Sequence, residues 1–345
     1  MREQLSPADL RFTPPELPTD VVLNVVAEHW GLTGEPEHLS GERDQNLRLL
    51  IADGTSYVVK VASPVEDPIF ADYQTRAMQH VAETDAGIPI PRVIPSKTGH
   101  TSHLLEHEDG KHIVRVLSWV DGAPLGSFPP PPTETAAAIG RLQGRLCKAL
   151  SDFSHPAATH FMPWDILNGL VESEQLAGFL GPQAAACTET LTRLRDTSLP
   201  RMREFPHQVI HNDAHGFNVM CDPDNPSRIT GLIDFGDLAY RPLVVDLAVS
   251  LTSLLERSPA PYDNAAAVVS NFQAEFPIDR GQLELLLDAI LARAILVVQL
   301  LEFRAEFVTD DAELRDEDIP QCRDGLDRIL ALEQREFLEA VTRNE

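Results

Sequence analysis

Basic residues are scarce in this chain of 345 residues: 28 Lys and Arg stand against 53 Asp and Glu, which gives a formal net charge of −25. Nucleic acids and anionic membranes bind proteins through positive surface charge, so neither is expected as a partner. The acidic excess fits a cationic small-molecule substrate. It fits equally well a host that keeps its proteins acidic for solubility or salt tolerance, and the sequence leaves both explanations open.

Cysteine is also rare, and no long apolar run is free of charge. The 4 cysteines are scattered without a CxxC pair, so no zinc site or disulfide framework is predicted, and free thiols are typical of a reducing cytoplasm. The N-terminus lacks the apolar core of a signal peptide. The most apolar helical stretch, 283–303, contains Asp288 and Arg293, which indicates a buried core helix rather than a membrane span. We therefore expect a cytoplasmic protein without a membrane partner; its oligomeric state is open, with a dimer among the options.

The chain is long enough for two lobes, each with its own core. Strand-like runs dominate as far as Leu117, and helical periodicity dominates after the prolines at 129–132. This change predicts an α+β protein with an N-terminal lobe and arm at 1–117 and a larger, mainly helical C-terminal lobe at 118–345.

One stretch carries most of the chemistry. It runs from His211-Asn212-Asp213 to Asn218, and Asp234 then opens an Asp-Phe-Gly tripeptide. An Asp, an Asn five residues later and a second Asp form the acidic machinery of kinase-type phosphoryl transfer. Asp213 is predicted to be the catalytic residue that orients the acceptor hydroxyl or takes its proton. Asn218 and Asp234 supply the hard oxygen ligands that Mg²⁺ prefers. Strand-like runs precede both segments, so a strand pair would present both acids at one mouth.

Four neighbouring side chains have both a structural and a functional interpretation. His215 could contact the substrate or shape the loop. Asp237 could meet a substrate ammonium or be a loop carboxylate bonded by backbone amides. For His211 we favour a buried brace of the loop. For Asp246 we favour a helix cap or a bond to the catalytic loop over a role in the chemistry.

A candidate nucleotide-binding unit lies near the N-terminus. Lys60 ends a β-branched run, where kinases place the lysine that binds phosphates. The preceding hairpin, with Ser40 and Asp44, contains a single glycine, Gly41, and no GxGxxG motif. The alternative for Lys60 is an exposed residue on the polar face of an edge strand.

Kinases pair this lysine with an acid from the next helix. The matching position holds Gln74, and Asp72 is the nearby acid, so the partner of Lys60 stays open between the two. Further on, the backbone of 117–120 is the candidate hinge for a purine base, with Leu117, Trp119 and Val120 as contacts. Trp119 could equally be a core residue.

These motifs resemble the aminoglycoside phosphotransferase and choline kinase superfamily, relatives of protein kinases that phosphorylate small molecules. Within it the chain resembles the hydroxylysine kinases in particular, over roughly residues 35 to 255. The similar segments are Asp44-Gln45-Asn46, Tyr57-Val58-Val59-Lys60-Val61, Val114-Arg115-Val116-Leu117, Ile139-Gly140-Arg141-Leu142, Phe153-Ser154-His155-Pro156 and Gly231-Leu232-Ile233-Asp234-Phe235-Gly236-Asp237. Two departures are Gln74 in the pairing helix and Asn212 in place of the family's Gly.

The resemblance implies a two-lobed, protein-kinase-like fold: a small antiparallel-sheet lobe that binds the nucleotide, and a larger helical lobe for catalysis and substrate binding. It implies ATP or GTP as co-substrate with Mg²⁺, and a small-molecule acceptor near Asp213, His215 and Asp237. The nucleotide contacts it implies are Ser40, Asp44, Lys60, Gln74, Leu117, Trp119 and Val120.

Our hypothesis is therefore a small-molecule kinase that acts on a hydroxyl of an amino acid or amino alcohol. The alternatives are an aminoglycoside phosphotransferase of antibiotic resistance and a nucleotide-sensing, pseudokinase-like module. A protein kinase is disfavoured, because no Ala-Pro-Glu tripeptide or long activation segment follows Asp234.

Overall fold

The computed structural model describes residues 14–343 except Glu172 and Asp310, so most of the expected N-terminal arm lies outside the described residues. The chain divides into two compact units, one ending at Val120 and the other beginning at Asp121. The α+β class is as predicted, because an antiparallel sheet dominates the first unit and helices dominate the second.

The smaller unit is a five-stranded antiparallel sheet with order β1-β2-β3-β5-β4. Its elements are α1 (Thr19–His29), β1 (Gly34–Leu39), β2 (Gln45–Ile51), β3 (Ser56–Val61), α2 (Pro68–Thr84), β4 (His103–His107) and β5 (Gly110–Ser118). One face of the sheet packs against α1, whose Val22 and Val26 join the core formed by alternate residues of the central strands. The opposite face, reached by the intervening residues, lies toward α2.

The larger unit contains a three-stranded sheet of order β6-β8-β9 and a two-stranded ladder of β7 with β10. Its strands are β6 (Ala123–Pro124), β7 (Gln208–Ile210), β8 (Val219–Asp222), β9 (Asn225–Leu232) and β10 (Ala239–Arg241). Its helices are α3 (Thr133–Ala149), α4 (Glu174–Ala177), α5 (Ala184–Arg193), α6 (Leu199–Met202), α7 (Leu243–Leu255), α8 (Pro261–Glu275), α9 (Arg280–Leu283), α10 (Leu286–Phe307), α11 (Ile319–Leu330) and α12 (Gln334–Val341).

Two glycines let α3 and α8 lie in close contact. A Cβ atom on Gly140 would stand 2.2 Å from the carbonyl oxygen of Val268, and one on Gly144 would stand 2.6 Å from that of Phe272. Such distances are shorter than van der Waals contact allows, so the two backbones can approach this closely only because both side chains are absent.

Helix α10 is buried along most of its length, as its apolar sequence predicts. Its two internal charges both have partners. Asp288 accepts from Arg193 at 2.9 Å and from the Ser198 hydroxyl at 2.5 Å, and Arg293 is bound at the catalytic loop. Among the described residues, none of the helices combines the length and the apolar character needed to cross a bilayer.

Candidate active site

The β8–β9 hairpin carries the two predicted metal ligands. Val219 pairs with Leu232 at its open end, and one step further the Ile233 N–H donates to the Asn218 carbonyl at 2.9 Å. Asn218 and Asp234 therefore lie at the same end of one hairpin, on opposite strands, with Asp234 one residue beyond the partner of Asn218. The strand pairing differs from the one expected. β7, which precedes Asp213, pairs with β10, and β9, which precedes Asp234, pairs with β8, so Asp234 lies beside Asn218 across the hairpin.

Asp213 is held by its own loop and by a distant helix. The Asn218 amide donates to the Asp213 carbonyl at 2.9 Å and to its Oδ2 at 2.7 Å. On the other side, Nη2 of Arg293 lies 3.4 Å from Asp213 Oδ1. The Asp213 side chain keeps 17% of its surface exposed, so an acceptor can still reach a carboxylate whose orientation is fixed.

The donor set fits Mg²⁺. Because the Asn218 nitrogen is used by Asp213, its amide oxygen is the atom left for a ligand, and the Asp234 carboxylate follows on the paired strand. Within the described residues, no group of three or more His, Cys, Asp or Glu side chains could hold a metal ion. A site of two protein oxygens completed by phosphate oxygens and water is the arrangement that Mg²⁺ adopts in phosphoryl-transfer enzymes.

His215 faces the catalytic carboxylate. The Phe217 N–H donates to His215 Nδ1 at 3.1 Å, which places the proton of the neutral ring on Nε2, 3.6 Å from Asp213 Oδ2. Burial lowers the pKa of His215, and the nearby Arg293 cation lowers it further. His215 is therefore a neutral residue that both shapes the loop and lies in the site.

A buried carboxylate binds the backbone of the catalytic loop. Asp246, in the first turn of α7, is fully buried, and its Oδ1 accepts from the Asn212 N–H at 2.7 Å. Burial raises the pKa of Asp246, and the nearby His211 together with this backbone bond opposes that rise. His211 is also fully buried, and its Nδ1 accepts from the Asp213 N–H at 3.3 Å. The structural roles expected of Asp246 and His211 are both confirmed.

Two residues of the site have a left-handed backbone. Asn212 and Asp234 both have a φ of 62°, a conformation that costs most side chains free energy and that Gly and Asn tolerate best. Asn212 is therefore of a residue type that can adopt this backbone. Its side chain also donates to the carbonyl of Asp237 at 3.2 Å. Asp237 itself is only 7% exposed, which favours its interpretation as a structural loop residue.

The smaller unit brings two cations together. Lys60 on β3 pairs in register with Arg115 on β5, and β3 is a central strand rather than an edge. Like charges directly opposite each other on a sheet repel. Here Asp44 Oδ2 lies 3.2 Å from Lys60 Nζ and 3.4 Å from Arg115 Nη2. The Lys60 side chain is 16% exposed and that of Arg115 only 1% exposed. The shared Asp44 carboxylate therefore balances two positive charges that have little contact with water.

The acid beside Lys60 is thus Asp44, which is neither of the two residues considered for that role. Gln74 instead accepts from Arg115 Nη1 at 2.9 Å, and Asp72 pairs with Arg76 at 2.7 Å on the exposed side of α2. Sequence reasoning missed Arg115. Like Lys60, Arg115 stands between two valines of a strand-like run, and this pattern could have indicated a charged residue on the same face of the sheet.

The remaining nucleotide-site candidates lie on the hairpin and at the end of β5. The Ser40 carbonyl accepts from the Asn46 amide at 3.4 Å. Leu117 is buried in β5, and the Trp119 N–H donates to the Ser56 carbonyl at 3.3 Å. The Trp119 ring is partly exposed and lies under the Arg48 guanidinium at 4.4 Å, so it is not a plain core residue. Val120 is the last residue of this unit.

Comparisons with known proteins agree with this geometry. The model of the phosphotransferase enzyme family matches residues 36–283. A hydroxylysine kinase of Danio rerio is 23% identical over 293 residues, covering 81% of this chain and 82% of the relative, and one of Mus musculus is 22% identical over 264 residues.

Solved structures share the fold at low sequence identity. A microcompartment-associated aminopropanol kinase superposes with a TM-score of 0.71 at 16% identity, covering 93% of this chain and 99% of that one. An amicoumacin kinase in complex with AMP-PNP and Ca²⁺ superposes with a TM-score of 0.69 at 14% identity, covering 92% and 97%. The family match spans well over half of the sequence and includes both the Lys60 strand and the Asp213 loop, so the chain belongs to the phosphotransferase enzyme family.

Proposed function

We propose that this protein is a small-molecule kinase that transfers the γ-phosphoryl group of ATP or GTP to a hydroxyl of an amino acid or amino alcohol. The observation that carries the proposal is the Asp213 carboxylate, fixed by Asn218 and Arg293 yet still exposed at the mouth of the β8–β9 hairpin. The hydroxylysine kinase relatives and the aminopropanol kinase fold support this class of acceptor.

In the proposed reaction, the acceptor hydroxyl lies against Asp213, which orients its oxygen toward the γ-phosphorus. The new oxygen–phosphorus bond forms as the bond from that phosphorus to the β-phosphate oxygen breaks. The hydroxyl proton passes to the Asp213 carboxylate, and the nucleoside diphosphate leaves. Bound Mg²⁺, held by Asn218 and Asp234, would neutralise charge on the phosphates.

In this proposal the smaller unit binds the nucleotide. Lys60 contacts phosphate oxygens, while Asp44, Arg115 and Gln74 hold it in place. The hairpin at Ser40 and the 117–120 segment contact the nucleotide. Because the Trp119 N–H is already donated to Ser56, we assign the hinge N–H to Val120. Of the two candidate acceptor contacts, we assign His215 to the acceptor side and Asp237, which is only 7% exposed, to the loop. The free cysteines fit a cytoplasmic location.

The test is a nucleotide-consumption assay with Mg²⁺ and either ATP or GTP. The acceptor panel contains hydroxylysine, homoserine, choline, ethanolamine, aminopropanol and several aminoglycosides. Turnover with an amino acid or amino alcohol is the expected result and identifies the base. Turnover with aminoglycosides alone would reassign the protein to antibiotic modification. Nucleotide binding without turnover on any acceptor would favour a sensor module and overturn the proposal.

Asp213→Asn is the matched control for that assay. It keeps the side-chain volume and the contact to Asn218 but removes the charge. Transfer should fall by at least about a thousandfold, because no base remains beside the hydroxyl. Nucleotide affinity, measured by calorimetry, should stay close to that of the wild type, since the nucleotide contacts lie elsewhere. Substantial residual transfer would remove Asp213 from its assigned role.

A further inference from the structure

Arg293 is a buried cation bound directly to the catalytic carboxylate, although it lies 80 residues from Asp213 in sequence. It projects from the middle of α10, and its side chain is 7% exposed. A buried guanidinium is costly unless its charge and its donors are satisfied. This requirement makes its partners informative.

The two ends of the guanidinium have separate partners. Nη1 donates to the backbone carbonyl of Trp164, and Nη2 lies 3.4 Å from Asp213 Oδ1. The guanidinium carbon also stands 5.8 Å from the centre of the Trp164 ring. Because Nη1 is bonded to the Trp164 carbonyl, the planar guanidinium cannot rotate freely. Its Nη2 end is therefore held toward Asp213.

The partners of Asp213 divide between its two oxygens. Oδ2 accepts from Asn218 and faces His215, whereas Oδ1 faces Arg293. Loss of Arg293 would remove its contact to Oδ1, the oxygen opposite the one that Asn218 holds, and would loosen the rotation of the carboxylate about its side-chain bonds. A misplacement of about 1 Å at a reacting group can cost two orders of magnitude in rate.

We propose that Arg293 is a positioning residue for the phosphoryl-transfer step: it fixes the rotation of the Asp213 carboxylate so that its open side meets the acceptor hydroxyl. The inference deepens the proposed function and rests on it. Arg293 acts through Asp213 and does not itself contact the nucleotide. Its loss should therefore impair transfer to the acceptor without impairing the handling of the nucleotide.

The first measurement compares Arg293→Met with the wild type on an acceptor that the wild type uses. We expect kcat for transfer to fall about 10- to 100-fold, with the KM for nucleotide within about twofold. Slow hydrolysis of the nucleotide by water, measured without acceptor, should persist, so the ratio of transfer to hydrolysis should drop. A residue that only stabilises the fold would lower both activities together.

The matched control is Arg193→Met. Arg193 also pairs with a carboxylate of α10, Asp288 at 2.9 Å, but this pair involves no residue of the catalytic loop. The control should lose stability while keeping the transfer-to-hydrolysis ratio of the wild type. If Arg293→Met and Arg193→Met change the ratio equally, the positioning role is wrong.

Two further variants keep the proposal testable if Arg293→Met does not fold. Arg293→Lys retains a cation and should recover part of kcat. Arg293→Ala should regain transfer when millimolar guanidinium is added, and the same concentration of NaCl should not restore it. If neither the lysine nor guanidinium restores transfer, the proposal is overturned. A wild type that is inactive on every acceptor would instead overturn the proposed function.

Discussion

At the scale of single residues, the catalytic loop depends on a backbone turn that few side chains allow. Asn212 has a φ of 62°, its N–H is bound by Asp246 and its side chain by the Asp237 carbonyl. The next residue in the chain is Asp213. Any relaxation of this turn therefore moves the catalytic carboxylate.

Two substitutions at Asn212 separate backbone conformation from side-chain bonding. Asn212→Gly loses the bond to Asp237 but accepts the left-handed conformation, so its activity should stay near that of the wild type. Asn212→Ala loses the same bond and is also strained, which should cost on the order of 1–2 kcal/mol in unfolding free energy and several-fold in kcat. Urea unfolding and steady-state kinetics measure both. Equal behaviour of the two variants would mean that the turn is not the constraint.

The pairing of Lys60 with Asp44 gives a second prediction at this scale. Asp44→Asn removes the carboxylate that Lys60 and Arg115 share, so nucleotide affinity should fall roughly tenfold, which is about 1.4 kcal/mol. Asp72→Asn is the control, because its ion pair with Arg76 is exposed and is expected to contribute under about 1 kcal/mol. Calorimetric titration with nucleotide compares them. If Asp72→Asn loses more nucleotide affinity than Asp44→Asn, the acid that supports Lys60 lies on α2 and not on the hairpin.

At the scale of secondary-structure elements, helices α3 and α8 illustrate how a family motif serves packing. Gly140 belongs to the Ile139-Gly140-Arg141-Leu142 segment, and the backbone of α8 occupies the space that a side chain there would need. In this chain, Gly140 of that segment therefore serves the close packing of two helices rather than any chemistry.

Gly140→Ala should force α3 and α8 apart and lower the unfolding free energy by about 1–3 kcal/mol or more. Gly178→Ala is the control, since a Cβ atom there meets nothing within 4 Å, and it should be neutral. Urea denaturation of the two variants gives the comparison. If Gly140→Ala is as stable as the wild type, the helices can slide at little cost.

The end of α7 lies close to α11 and carries a buried carboxyl group. Glu256 caps α7 against Gly325, and burial raises its pKa to about 7, with Arg257 opposing that rise. A carboxyl whose pKa is higher when folded favours folding while protonated. This contribution is complete below about pH 4.5 and is lost as the pH rises through 7.

Glu256→Gln should therefore match the wild type near pH 5 and exceed its stability at pH 8 by on the order of 1–3 kcal/mol. Chemical denaturation across pH 5–8 follows the difference between the two proteins. A difference that does not vary with pH would show that the carboxyl titrates outside this range.

At the scale of the whole molecule, the acidic excess should act as self-repulsion. With a net charge of −25, the melting temperature should rise by a few degrees as KCl increases from about 0.05 to 0.5 M, because the Debye length beyond which salt screens like charges falls from about 14 Å to about 4 Å. The KM of a cationic acceptor should rise over the same range if the charge also attracts substrate. A melting temperature that does not change with KCl concentration would mean that nearby basic residues already neutralise the acidic ones.

Local patterns in the sequence are enough to predict much of the fold and to propose the main candidates for the site. Lys60, Asp213, Asn218 and Asp234 are each identified by short motifs next to strands, and α10 by its apolar run with two charges. Arg293 could not be found in this way, and for Arg115 the local pattern gives only the face of the strand, not the bond to Asp44. Their roles come from contacts with residues 71 and 80 positions away. Contacts between residues so far apart in the chain cannot be inferred from local patterns in one sequence. The partner of Lys60 was misplaced for the same reason, since it lies on a strand hairpin rather than on the next helix.

The bond from α10 to the catalytic loop has a consequence for protein engineering. Exchanging C-terminal helices between related kinases is an obvious route to new acceptor specificity. In this protein such a graft would replace Arg293 while leaving the Trp164 carbonyl and Asp213 without their shared donor. A functional chimera would have to transplant α10 together with the segment around residue 164, or choose a donor helix that keeps arginine at that position.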